Sequence, residues 1–150
     1  MSGIISPFQM ISNKVKEFKL IQFEINDEYE QINVNLRANF NEYDFQEDNK
    51  YSAKLDLTIL IQGITDLEQK VFEIQLIMQG TFSGEINSIG KEQFTDMLSL
   101  NGVSTLMQLS RAYVTSVAAA LSGFPMTLNF PMINIFELNK LNRHNKEIDE

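Results

Sequence analysis

Few residues in this chain are of a type that does covalent or metal chemistry. His144 is the only histidine among 150 residues, and there is no cysteine. His144 stands in the polar stretch "NRHNKEIDE", where a side chain is solvated rather than held in a triad or on a metal. Disulfides and thiolate chemistry are excluded outright. No pair of His or Asp residues has metal-ligand spacing, and neither G-x-S-x-G nor a phosphate-binding P-loop is present. The carboxylates of "EYDFQED" and "DLEQK" fall on an expected loop and an expected turn, which makes them solvated surface. The residues therefore point away from an enzyme, and no cofactor is expected.

What remains is non-covalent binding by apolar side chains. The stretch "GFPMTLNFPMINIFEL", Gly123 to Leu138, carries Pro125 and Pro131 in an apolar run without a regular period. Such a segment is costly to expose. Met78, Met97, Met107, Met126 and Met132 all sit in apolar contexts. Methionine adapts to varied shapes and serves promiscuous binding surfaces, although on a helix or strand face it also fills cores.

Composition limits the partners. Lys and Arg total 12, Asp and Glu total 20, and the net charge is -8. Nucleic-acid binding relies on clustered cations, so a nucleic-acid partner is not expected. Anionic membrane surfaces are disfavoured for the same reason. The charge fits a protein that repels its own copies or meets a basic partner. The start, "MSGIISPFQMISNK", lacks the basic residues of a signal peptide. No apolar run approaches the ~18 residues of a membrane helix, so a cytoplasmic protein without direct membrane insertion is expected. Residues 1–150 suit one domain with one core, with 1–16 and 142–150 expected as flexible tails.

The elements that must position these side chains follow from periodicity. "EFKLIQFEI" (Glu17 to Ile25) reads as a strand whose apolar phase changes between Leu20 and Ile21. Such a change means a bulge, or a strand that buries one face and then the other. Ile32 to Phe40, Tyr51 to Gln62 and Gln69 to Phe82 alternate apolar and polar residues and read as further strands. "GITDLE" between the last two reads as a hairpin connection. "KEQFTDMLSL" suggests a short helix. A longer one over Val103 to Leu121 has its apolar face at Val103, Leu106, Met107, Ala112, Val114, Val117, Ala118 and Leu121. Gly123 is placed to cap it, and Asn134 with Glu137 marks the start of a last helix. The expected class is α+β: a four-stranded antiparallel meander with helices packed on one face.

The Pro-containing segment resembles the SecB family of protein-export chaperones. Gly123-Phe124-Pro125, Leu128, Phe130, Pro131 and Asn134 follow that family's order of Gly, Phe-Pro, alternating apolar residues, a second Pro and Asn. The family's usual residue between Gly and Phe is missing. Arg111 stands where the family often has an Arg in the preceding helix. "LIQFE" (Leu20 to Glu24) is similar to the family's early strand at Ile21, Phe23 and Glu24. "KVFEIQLIMQGTF" resembles its long strand, with Gly80 and Phe82 in register. Together these motifs span most of Lys19 to Leu138.

The resemblance implies a homotetramer, built as a dimer of dimers. It implies an ATP-independent holdase that binds unfolded pre-secretory polypeptides in apolar grooves and keeps them translocation-competent. The client-binding residues so implied are Ile21, Phe23, Leu76, Met78, Phe124, Leu128 and Phe130. For each, packing in the core, at the sheet edge or in a subunit interface is the competing role. Docking to the translocation ATPase SecA would use acidic side chains on the outer sheet face. Glu24 is kept there, whereas Leu20 and Gln75 replace two family acids, and Glu73 lies close enough to compensate for the second. Relatives of this family also act as dedicated chaperones for one partner, such as an antitoxin, and an adaptor of that kind is the alternative.

Overall fold

The computed structural model describes residues 5–23, 30–44 and 49–120. The elements run β1 (Phe8–Gln22), β2 (Gln31–Asp44), β3 (Lys50–Ile64), β4 (Lys70–Glu85), α1 (Lys91–Met97), a π-helical turn (Leu98–Gly102) and α2 (Val103–Ala120). Strand residues follow the expected alternation. On β3, Ala53, Leu55, Leu57, Ile59 and Ile61 are buried, as are Phe72, Ile74, Leu76, Met78 and Phe82 on β4. The apolar row of each strand thus lies on one face of a single antiparallel sheet.

The strands are ordered β1-β4-β3-β2. β2, β3 and β4 form the meander that their sequence order suggests. β1 lies on the far side of β4, so the chain passes from one sheet edge to the other between Phe23 and Glu30. The two ends of that passage are pinned: Phe23 donates to the carbonyl of Val71 at 2.9 Å, and Glu30 to that of Ile64 at 2.9 Å. The result is a Greek-key order within the expected four-stranded antiparallel α+β class.

β1 begins at Phe8, so residues 8–16 are strand and not the tail expected of them. Phe8 anchors this start, its ring stacked on Phe82 at 5.4 Å and tilted against Phe94 at 5.7 Å. Register shifts between Met10 and Ser12 and between Val15 and Glu17 leave Ile11 and Lys16 as the extra residues of bulges. The bulges explain why the segment does not read as a strand: each resets the alternation that would have revealed it. Between Glu17 and Gln22 the pairing is regular, so the phase change at Leu20 and Ile21 is a true change of buried face.

The helical segment covers the apolar side of the sheet. α1, the π-helical turn and α2 are contiguous, where the sequence suggests separate helices. Phe94, Leu98, Leu106, Ser110, Val114 and Ala118 are buried at steps of four or eight. A strict α-helix drifts off a four-residue step; the wider π turn helps hold the buried row over the sheet. Ser110 takes the place in this row that spacing gave to Ala112, which is exposed. Tyr113 caps the β1 side, meeting Phe18 edge-on at 5.4 Å. Each fully buried Leu, Ile or Phe in this core contributes about 1.5–3 kcal/mol relative to exposure.

Candidate functional site

None of the described helices covers the sheet's second face, and register assigns its occupants. Residues opposite one another on antiparallel neighbours share a face. Phe18 opposes Leu76 and Leu20 opposes Ile74, so these four point toward the core. Lys19 opposes Gln75 and Ile21 opposes Glu73, so these lie on the outer face. Phe23, two residues past Ile21 and still bonded to β4, continues the same row. Ile21 and Phe23 take no part in the core cluster; Phe23 is 37% exposed. Two apolar side chains thus stand side by side along β1 on the face opposite the described helices.

Leu60 on β3 and Ile77 on β4 fall on this face too, opposite Gln75 and Glu17, and around the apolar side chains the face carries a network of polar ones. Lys16 donates to Asp56 Oδ2 at 2.9 Å, and the Gln79 side chain donates to Asp56 Oδ1 at 2.8 Å. Asp56 is 7% exposed, and the two donors offset the cost of burying its charge. Nearer the β3–β4 hairpin, the Gln62 amide donates to Glu73 Oε1 at 2.7 Å and Lys70 donates to the same oxygen at 3.3 Å. These interactions hold the Glu73 carboxyl below the ordinary carboxylate range: the Gln62 hydrogen bond is the largest cause, and Lys70 and Lys19 assist while burial opposes. Lys14 and Lys19 stand on the same face, opposite Gln79 and Gln75.

The residues singled out from sequence fall into three groups. Ile21, Phe23 and Glu73 are brought together on the outer face, with Ile21 directly opposite Glu73. Leu76 and Met78 are 0% and 4% exposed in the core beneath the helices. A client could touch them only after that cover had moved. Glu24, Phe124, Leu128 and Phe130 lie outside the described residues, as do His144 and the segment from Gly123 to Leu138. Sequence reasoning missed Lys14, Lys16 and Asp56. Plain alternation would put Lys14 and Lys16 on the face opposite Lys19 and Ile21; the bulge at Lys16 brings the two phases onto one face.

Among the described residues, no group of three or more His, Asp or Glu side chains could hold a metal ion. No described helix is long and apolar enough to cross a membrane. The arrangement can bind through apolar contact beside fixed polar groups.

Comparison with known proteins gives the fold a context. No family model matches the chain, and no curated protein matches it. Among solved structures, it is similar to a protein of unknown function from Streptococcus agalactiae, with a TM-score of 0.55 and 14% identity over 82% of this chain and 97% of that one. It is also similar to a SecB-like chaperone from Mycobacterium tuberculosis, solved in complex with a peptide from an antitoxin. That match has a TM-score of 0.53 and 14% identity over 85% of this chain and 92% of the other. The chain has the fold of a SecB-like chaperone.

Proposed function

We propose that this protein is an ATP-independent holdase that binds extended polypeptide segments through the apolar row of Ile21 and Phe23. The observation that carries this reading is that row itself: apolar, outside the core, and presented opposite the described helices on a sheet whose fold is shared with a peptide-binding chaperone. Apolar contact removes surface from water at roughly 25 cal/mol per Å² without reading a defined sequence. A row as short as this one binds weakly. Several copies on one oligomer, meeting one tethered chain, gain avidity without any new contact. A homotetramer, arranged as a dimer of dimers, is the assembly proposed to supply those copies. Binding the unfolded chain and not the native one then draws clients back from folding or aggregation by mass action.

The clients of the leading reading are unfolded preproteins. SecA is the weaker part of it. On the outer face the carboxylate of Glu73 is already held by Gln62 and Lys70, and its neighbour in the row is the uncharged Gln75. A second reading, a dedicated chaperone for one partner such as an antitoxin, is favoured by the antitoxin peptide bound to the Mycobacterium tuberculosis protein. Affinity capture from the source cell separates the two. Many substoichiometric polypeptides support the general holdase; one stoichiometric partner supports the dedicated chaperone. Capture of neither, with no slowing of client aggregation, would remove both.

A further inference from the structure

The outer row of β1 does not end at Ile21. Read from Phe23 backwards, it runs Phe23, Ile21, Lys19, Glu17 and then Lys14, each assigned to this face by its partner on β4. Lys16, the extra residue of the bulge, reaches the same face, because its ammonium bonds to Asp56. The row is therefore apolar at one end and basic at the other: Lys14, Lys16 and Lys19 stand with Glu17 on β1, and of the carboxylates on the neighbouring strands Asp56 is engaged by Lys16 and Glu73 by Gln62 and Lys70. In a chain of net charge -8, this is a local reversal of sign. Lys14, Lys16 and Lys19 are all exposed, so their charge is presented outward.

We infer that the row selects polypeptide segments in which apolar residues stand next to acidic ones. The inference deepens the holdase reading and rests on it. An extended segment advances by about 3.3 Å per residue, as β1 does, so a segment lying along the row keeps step with it. Its apolar side chains meet Ile21 and Phe23 while its carboxylates meet Lys19 and, beyond Glu17, the lysines around the bulge. Charge complementarity of this kind sets choice between partners more than raw affinity. Segments whose apolar residues are flanked by Lys or Arg meet like charge and are disfavoured.

The test uses three fluorescent peptides that share one apolar core and differ only in flanking Asp, Ser or Lys. Binding is followed by anisotropy on the full chain, with the protein's mass measured on the same samples. The Asp-flanked peptide is expected to bind tighter than the Lys-flanked one by on the order of fivefold at low salt, the preference fading above ~0.5 M salt. Lys14→Gln with Lys19→Gln should abolish the preference and leave the Ser-flanked peptide unaffected; Lys16 is kept because it holds Asp56. Equal binding of all three peptides, or preference for Lys, overturns the inference and leaves the holdase reading standing. No binding of any peptide overturns both. Equally tight binding of an oligonucleotide overturns the inference as well, since the site would then take any polyanion. A mass that rises with protein concentration while peptide is excluded overturns it in favour of a second copy of this chain.

Discussion

Glu73 shows how a single outer-face side chain is tied to the stability of the whole sheet. Its carboxyl is held below its ordinary value of 4.5, chiefly by the Gln62 amide and then by Lys70. A carboxyl whose folded-state value is depressed stabilises the fold fully above its unfolded value. That contribution is lost as pH falls through the folded value. Glu73→Gln should therefore be less stable than the wild type at neutral pH, by about a few tenths of a kcal/mol for so accessible a pair. The gap should close on acidification below the ordinary carboxylate range. Urea midpoints at a series of pH values check this; a gap that stays constant with pH contradicts it. A second residue-scale outcome concerns close packing. A Cβ on Gly63 would fall inside the ring of Phe72, which is 1% exposed and lies opposite on β4. Gly63→Ala should cost about 1–3 kcal/mol by forcing that ring aside, read as a lowered urea midpoint with an unchanged slope. Alternation made Phe72 legible as a core residue. It could not show that Gly63 is small because a ring lies over it, since cross-strand register is not written in either strand alone.

At the scale of elements, periodicity revealed what is regular and missed what is not. β2, β3 and β4 have uninterrupted alternation and were legible from their first residues to within a few positions. β1 was legible only over its regular stretch near Phe18 to Phe23, because the bulges at Ile11 and Lys16 reset its phase. The π-helical turn was illegible for a related reason: it shifts a helical period by one residue, which in sequence looks like the end of one helix and the start of another. The cover that results is stabilised by its buried row. Leu106 is 0% exposed, midway along that row. Leu106→Ala should destabilise the protein by about 2–5 kcal/mol through lost burial and the cavity left behind. Since the outer face does not touch this row, peptide binding by the folded fraction should persist. Calorimetry with peptide titration on the same variant checks both halves.

At the scale of the molecule, the sheet has two unlike faces. One is sealed by the helices and holds the core. The other carries polar side chains bonded to one another and, besides Leu60 and Ile77 on the inner strands, an apolar row along the edge strand β1. The resemblance to SecB was carried by motifs whose chemistry is loose, yet their order along the chain anticipated the fold. Of the candidate site, Ile21 and Phe23 were legible because their phase opposed that of Phe18 and Leu20. The basic end of the row was not, because bulges hid it and the chain's net acidity pointed the other way. Leu76 and Met78 illustrate the opposite limit. An apolar strand residue reads the same whether it seals a core or meets a client, and only the position of the helices separates the two.

The most direct measurement is light scattering during dilution of a chemically unfolded, slow-folding client, with the wild type compared with Ile21→Ser and Phe23→Ser combined. The wild type in stoichiometric excess should suppress aggregation. The double variant, with its thermal midpoint little changed because neither side chain belongs to the core, should lose most of that suppression. A wild type that leaves aggregation unchanged, or a folded variant that suppresses it as well as the wild type, would contradict the assignment of holdase activity to this row.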